Sequence, residues 1–491
     1  MNRYLENRAR QAMWGKARRI HFVGIGGAGM SGIAEVLINL GYQVTGSDLK
    51  ESEVSKRLAE LGGRIFYGHR PEQVGDAEVV VISSAVREDN PEVLEARRRK
   101  ILVIPRAEML AELMRLKHSI AVAGSHGKTT TTSMIATILH QAGLDPTAVI
   151  GGKLDSFGSG ARLGTGDLMV VEADESDGSF LKLRPVIAVV TNVDREHLDH
   201  YGTFESLQAS FLRFANEVPF YGLCVICTDC QVLRGMAGAI ERRYVTYGVA
   251  NDAEFRAVEI AQEKSGCGFD VIHQGRKLGR IVLGVPGRHN AVNALAAIAV
   301  AFELGVDYET AAKALANFKG VNRRFQVKGE AGGVTVVDDY GHHPTEIQAT
   351  LAAASDWRPE KGGQLPGRIV CGFQPHRYTR TKILGEEFAA AFDQAQVLVV
   401  TEIYSAGEEP IAGVSGRTLF DRIALHRSAR GLETLFCATL AEMESALEKL
   451  LKPGDLFITV GAGNIWQAGE EVLKRISKRI GTKAPRTKEG K

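Results

Sequence analysis

Cysteine is scarce in this chain: there are six in 491 residues, without the dense, regular spacing of a disulfide framework. That excludes a small bridge-held secreted fold and fits free thiols in a reducing compartment. The single cluster, Cys224, Cys227 and Cys230, has the C-x-x-C-x-x-C spacing of an iron–sulfur run. No fourth cysteine follows closely, and YGLCVICTD reads as a buried strand. No apolar run is long enough to span a bilayer. The opening segment MNRYLENRARQAMWGKARR is charged where a signal peptide would be apolar, so the expected location is the cytoplasm, with no membrane insertion. A strong charge of one sign is also missing. The net charge of +2 gives no global attraction to nucleic acid, and no nucleic-acid partner is expected.

What is present is length and alternation. Hydrophobic residues make up 44% and charged residues 24%, as in soluble globular proteins. The chain is too long for one core, and the expectation is about three domains. From Arg19 to about Lys117, apolar strands (RIHFVGIG, QVTGSDL, EVVVISSAV, ILVIP) alternate with helical segments, which predicts a doubly wound parallel sheet. A second α/β segment starts at SIAVAG and turns β-rich between Cys224 and Leu283, read as a lateral sheet. A third, from about Gly320, alternates VTVVDDY, RIVCGFQ, VLVVTEIY and DLFITVGAG with helices. The expected fold class is therefore α/β in three domains: a Rossmann-like 1–117, a central ATPase 118–319, and a Rossmann-like 320–491. The basic tail from about residue 478 is expected to be disordered.

Between Val122 and Thr132 the chain reads VAGSHGKTTTT, a strand running into a glycine turn, a lysine and a row of hydroxyls. Gly124 and Gly127 let backbone N–H groups face phosphate oxygens, Lys128 adds a point charge, and Thr129 offers a hydroxyl to Mg²⁺. Only Ser125 and His126 separate the glycines, so this is a shortened phosphate loop. The helix behind it is expected over Ser133 to Ala142. In the first segment, Gly24-x-Gly26-x-x-Gly29 with Asp48 ending the second strand is a dinucleotide fingerprint. Taken alone it leaves the nucleotide open and suggests NAD.

Acidic runs follow the next strands. Glu172-Ala-Asp174-Glu175-Ser-Asp177 crowds four carboxylates into six residues, which calls for a hard cation such as Mg²⁺. Thr191 to Gly202 places His197 and His200 beside Asp194, Glu196 and Asp199. Zinc is one reading, but a histidine assisting a second Mg²⁺ is preferred because neither an HExxH spacing nor a cysteine partner is present. Asn290 and Asn293 lie one helical turn apart, placed to face adenine or to cap the helix starting near Ala291. Arg377 and Arg380 suit a bidentate grip on a carboxylate or phosphate, or form a surface pair at a helix start.

Together GSHGKTTT, EADESDGSFL, TNVDREHLDHYG, PGRHNAVNA, DDYGHHPTE and FQPHRYTRT resemble the Mur ligase family over nearly the whole chain. The resemblance implies ATP, Mg²⁺ (two ions, with Mn²⁺ as a substitute), UDP-N-acetylmuramate and L-alanine, and an amide formed through an acyl phosphate. It recasts the glycine turn as a binder of UDP-sugar, with Gly26, Gly27, Gly29, Met30, Ser31, Asp48, His69, Ser83, Ser84 and Arg106 around that substrate. It implies ATP contacts at Gly124, Ser125, His126, Gly127, Lys128, Thr129, Thr130, Asn290, Asn293, Arg324 and Asp338. Thr129 and Glu172 would hold one ion and His197 the second, and Tyr340, Arg377 and Arg380 would lie on the substrate side. The proton acceptor for the amine stays open among His342, His343 and His376. In sister ligases a carbamylated lysine follows the histidine motif, whereas this chain has no lysine between Lys182 and Lys264. That fits the alanine-adding branch. A ligase for preformed peptide is the near alternative, and a nicotinamide dehydrogenase or an ATP-driven switch are the distant ones. Oligomeric state is left open between monomer and dimer.

Overall fold

Short β-branched runs separated by amphipathic helices build the sheets of this protein. Its computed structural model describes residues 17–83, 85–154, 159–250, 252–263, 266–357, 367–479 and 481. These fall into two compact units, one within Met1–Tyr247 and Ala296–Ala311, the other within Gly248–Leu295 and Ala312–Lys491.

In the first unit, strands β1 (Arg19–Val23), β2 (Gln43–Asp48), β3 (Arg64–Tyr67), β4 (Val79–Ile82) and β5 (Leu102–Pro105) pair in parallel in the order β3-β2-β1-β4-β5. Chain order reverses between β1 and β4, and the crevice beyond such a reversal is where doubly wound sheets take ligands. The glycine turn after β1 opens there. β3 was not singled out from the sequence, because RIFY has too few residues to show a period.

The same unit holds β6 (His118–Ala123), β7 (Thr147–Leu154), β8 (Ser159–Arg162), β9 (Leu168–Glu172), β10 (Ile187–Val190), β11 (Leu223–Cys227) and β12 (Tyr244–Gly248). They run in the order β12-β11-β10-β6-β9-β7-β8, and β7–β8 is the antiparallel pair among them. The register sets Val122 beside Glu172 and Ala123 beside Val190. The turn leaving β6 is therefore flanked by the ends of β9 and β10. Every residue of β10 and β11 is buried, so Cys224 and Cys227 are core thiols, and burial pushes both up to about 12.

In the second unit, β13 (Phe255–Glu263), β14 (Gly266–His273) and β15 (Arg276–Leu283) form an antiparallel meander, the expected lateral sheet. Gln274 and Gly275 both take positive φ between β14 and β15, the two-residue turn that matches strand twist. A further sheet runs β16-β17-β21-β18-β19-β20, comprising β16 (Gln326–Ala331), β17 (Val334–Asp339), β18 (Arg368–Phe373), β19 (Val397–Val400), β20 (Glu433–Phe436) and β21 (Asp455–Val460). Alternation along these strands feeds two cores. Val337, Cys371, Leu398 and Ile458 pack on one face, and Val336, Val370, Val399 and Phe457 on the other. The last helix runs Trp466–Arg479 and so includes Lys478 and Arg479, the first residues of the expected tail. Of the residues beyond the helix, all but Gly481 lie outside the described ones.

Candidate active site

The phosphate loop begins with a glycine that tolerates nothing larger. At Gly124 (φ +136°) a Cβ would sit 2.0 Å from Thr191 Oγ1, because the loop lies tight against the end of β10. Hydrogen bonds tie the two together. Thr191 Oγ1 and Asn192 Nδ2 donate to the His126 carbonyl (2.6 and 3.0 Å), the His126 N–H donates to Asn192 Oδ1 (2.8 Å), and the Asp194 N–H donates to Ser125 Oγ (2.9 Å). His126 Nε2 also lies 3.1 Å from Asp194 Oδ2.

The helix behind the loop starts at Lys128, five residues earlier than the sequence suggested, and runs to Gln141. Threonines in its first turns disfavour helix, but Thr132 and Ser133 satisfy their hydroxyls on the Lys128 and Thr129 carbonyls, which sequence propensity does not count. Gly127 (φ +79°) caps it with no side-chain bond, so the first N–H groups and the positive end of the helix dipole face outward, as anion binding requires.

Around this helix start the acidic run of β9 folds back. Thr129 Oγ1 donates to both Glu172 oxygens (3.1 and 3.0 Å). Lys128 Nζ donates to Glu175 Oε1 (2.8 Å) and to the Gly124 carbonyl (2.6 Å). Burial alone would depress the ammonium, but the Glu175 and Glu172 carboxylates outweigh it and hold Lys128 above its ordinary range. Burial pushes the Glu175 carboxyl up to about 7, against the pull of Lys128. Asp174 is held low despite burial because Arg106 Nη2 lies 3.0 Å away.

His197, in left-handed backbone (φ 56°), brings Nε2 to 3.7 Å from Glu175 Oε1 and 3.9 Å from Glu196 Oε2. One donor atom from each of Glu175, Glu196 and His197 lies within 4.8 Å of the others. Glu175 Oε2 is buried without a hydrogen-bond partner among the described residues. Carboxylates and an imidazole gathered this closely fit a divalent cation, with Thr129 and Glu172 as a second donor pair. Glu175 stood in the acidic run as read, yet its pairing with Lys128 and the part of Glu196 were not legible. Both depend on how the turns after β9 and β10 fold back.

At the other glycine turn, Gly26 N–H donates to Asp48 Oδ2 (2.8 Å), and a Cβ on Gly26 would strike that oxygen. A Cβ on Gly29 would come within 2.7 Å of Arg106 Nη1, so this glycine lets the guanidinium lie over the turn while it holds Asp174. Met30 is buried in the helix Ala28–Asn39, and Gly27 caps that helix with no side-chain bond, while Ser31 stays half-buried. His69 Nδ1 is tied to Glu92 Oε2 (3.1 Å) and Ser47 Oγ (3.0 Å), and Ser47 Oγ donates to the same Glu92 oxygen (2.6 Å). Glu92 and His21 behind it are fully buried. Sequence reading missed this network, because a lone glutamate on a helix carries no pattern. Ser83 follows β4, and Ser84 lies outside the described residues.

In the second unit, the helix begins at Arg288, three residues before the expected start, and Asn290 Nδ2 donates to the Pro286 carbonyl (2.7 Å). Asn293 Nδ2 lies 3.4 Å from Asn290 Oδ1, so the two amides share one face. Asp338 is buried and bonded to Arg323 Nε (3.0 Å) and Thr459 Oγ1 (2.8 Å), which makes it the anchor of Arg323. Arg324 lies over the Tyr340 ring at 5.2 Å and reaches Glu346 at 3.5 Å. Arg377, at φ 70°, sits 3.7 Å from Glu408, and Arg380 Nη1 is 3.2 Å from His376 Nδ1. His376 stacks on Tyr404 (5.7 Å, 8°) and lies 5.7 Å, ring to ring, from His342.

Three family models cover the chain: "Mur ligase family, catalytic domain" over residues 19–118, "Mur ligase middle domain" over 122–301, and "Mur ligase, glutamate ligase domain" over 323–463. The chain is 55% identical to a UDP-N-acetylmuramate–L-alanine ligase of Geobacter sp. (strain M21), covering 94% of this chain and 99% of the relative. It is 56% identical to one from Anaeromyxobacter dehalogenans (strain 2CP-1), covering 95% and 98%. Among solved structures it resembles the UDP-N-acetylmuramate–alanine ligase of Thermotoga maritima, with TM-score 0.79, 31% identity, and coverage of 94% and 99%. A murein peptide ligase from Psychrobacter arcticus matches with TM-score 0.67, 25% identity, and coverage of 94% and 98%.

Proposed function

The chain belongs to the Mur ligase family, and from that premise we propose that it joins L-alanine to the lactyl carboxylate of UDP-N-acetylmuramate at the expense of ATP, in peptidoglycan precursor synthesis. The observation that carries this reading is the loop leaving β6, where Lys128, an uncapped helix start and the Thr129–Glu172 pair converge on one point. Identity above half to alanine-adding relatives over nearly the full length favours a single amino acid over a preformed peptide. Family membership displaces the nicotinamide reading of the glycine turn.

The chemistry sets a charge problem. A carboxylate oxygen must approach the γ-phosphorus, and two unit negative charges 4 Å apart repel by about 4 kcal/mol at an effective dielectric of 20. Lys128, released from Glu175, offsets this as the new O–P bond forms and ADP leaves. The backbone N–H groups after Gly127 hold the phosphates in line. Thr129 and Glu172 would hold Mg²⁺ and His197 a second ion, which would supply further charge neutralisation. Asn290, Asn293 and Arg324 complete the ATP contacts. Gly26, Gly27, Asp48, His69 and Arg106 hold the UDP-sugar, and Arg377 and Arg380 grip the carboxylate of L-alanine. Its amine attacks the acyl carbon, the C–O bond to phosphate breaks, and an amide remains. Most of the acceleration lies in orienting the three substrates, worth several kcal/mol. The expected site of action is the cytoplasm, where ATP is at hand.

Substrate omission tests the proposal. ADP should appear when UDP-N-acetylmuramate, ATP and Mg²⁺ are together, L-alanine should turn it over into amide, and Lys128→Ala should abolish it. ADP release independent of the sugar contradicts the assignment, and preference for a tripeptide over L-alanine transfers it to the peptide-adding reading.

A further inference from the structure

Hydrogen-bond partners distinguish the three candidate histidines His342, His343 and His376. A ring nitrogen that faces an N–H must hold a lone pair, and one that faces a carbonyl must carry the proton. His376 Nδ1 faces Arg380 Nη1 at 3.2 Å, and a guanidinium only donates, so the His376 proton sits on Nε2. Burial above all pushes His376 down to about 3, which leaves it neutral at working pH. His343 Nδ1 accepts the Thr345 N–H at 3.3 Å as a helix cap, so its proton also sits on Nε2. His342 is the opposite. Its Nδ1 lies 3.0 Å from the Tyr340 carbonyl and 3.4 Å from Glu346 Oε2, both acceptors, so Nδ1 carries the hydrogen and the neutral ring has its lone pair on Nε2.

We propose that His342 is the base that takes a proton from the amine of L-alanine; this rests on the ligase reading above. The His342 and His376 rings are 5.7 Å apart, and His376 touches Arg380. In an α-amino acid the amine nitrogen lies only about 2.5 Å from the carboxyl carbon. An amino acid gripped at Arg380 can therefore place its amine within reach of His342. Nε2 takes one proton from the ammonium. The exposed lone pair forms the N–C bond as the C–O bond to phosphate breaks, and the nitrogen's second proton leaves with phosphate as hydrogen phosphate. Glu346 fixes the turn by accepting the His342 and His343 N–H groups (3.0 and 3.3 Å), and it lies close enough to Nδ1 to stabilise the imidazolium formed.

The test compares L-alanine with hydroxylamine, an amine already uncharged at neutral pH that needs no base to intercept an acyl phosphate. His342→Asn, whose Nδ2–H can keep the bond to the Tyr340 carbonyl, should lose about 10²- to 10⁴-fold in kcat with L-alanine while hydroxamate formation stays near wild type. His342→Gln serves as the second variant, and circular dichroism reports folding of both. His376→Asn should raise KM for L-alanine more than it lowers kcat. Full L-alanine activity in a folded His342 variant, or equal loss with both amines, overturns the proposal. A wild-type enzyme that makes neither product refutes the ligase reading instead.

Discussion

Replacing Lys128 with methionine leaves Glu175 buried without its cation, and the structure gives the cost. Breaking a buried ion pair from one side destabilises by about 3–5 kcal/mol if the orphan stays charged. Glu175 can escape by protonating. Its carboxyl is already pushed from 4.5 to about 7, and loss of the ammonium, its main opposing influence, sends it higher. The wild-type carboxyl already takes up that proton below about pH 7, so the variant's added cost starts near pH 7 and grows by about 1.4 kcal/mol per pH unit above it. Above pH 7 the folded variant binds more protons than the folded wild type, so this penalty grows as pH rises from 7 and fades as pH falls below it. We expect melting lower than wild type by about 4–8 °C at pH 8.5, by less than half that at pH 7, and mostly restored in Lys128→Met/Glu175→Gln, which remains inactive. Differential scanning calorimetry across pH measures this. A pH-independent loss that Glu175→Gln does not repair would refute the reasoning.

Gly124→Ala, which drives a Cβ against Thr191 Oγ1 at a positive φ, should weaken binding of a non-hydrolysable ATP analogue at least about 10- to 100-fold by calorimetry. Glu172→Gln should cut kcat by about 10²- to 10³-fold and raise the Mg²⁺ concentration needed for half-maximal rate, read from magnesium titrations. Arg380→Lys should raise KM for L-alanine about 10- to 100-fold with KM for the UDP-sugar unchanged in steady-state kinetics. Burial raises the Glu92 carboxyl, but bonds from His21, Ser47 and His69 outweigh it and hold it below its ordinary value. Its stability contribution is therefore present above the unfolded value and lost as pH falls through the folded one. Glu92→Gln should flatten that acid limb in melting curves.

The sheets were legible because their strands are apolar and end in glycine or acid: β1, β6, β9, β10 and β21 stand where the pattern put them. β3, β7, β8, β16 and β20 escaped: all but β7 are four to six residues long, too short to show a period, and are held by their neighbours. Each site motif was visible as a local string, since phosphate loops and acidic turns are written in consecutive residues. What was not visible is the tertiary pairing between motifs: Lys128 with Glu175, Asp174 with Arg106, Arg323 with Asp338, and His69 with Glu92. Nor did sequence distinguish His342 from His376. That difference lies in one carbonyl and one guanidinium, whose positions depend on the turns after β17 and β18.

The account rests on the sugar-borne carboxylate attacking the terminal phosphorus of ATP. UDP-N-acetylmuramate labelled with heavy oxygen in its lactyl carboxylate, turned over with L-alanine and ATP, tests it most directly through mass analysis of the released phosphate. One labelled oxygen per phosphate is predicted, because the C–O bond that breaks in amide formation carries that atom away. Amide formed with unlabelled phosphate would contradict the account.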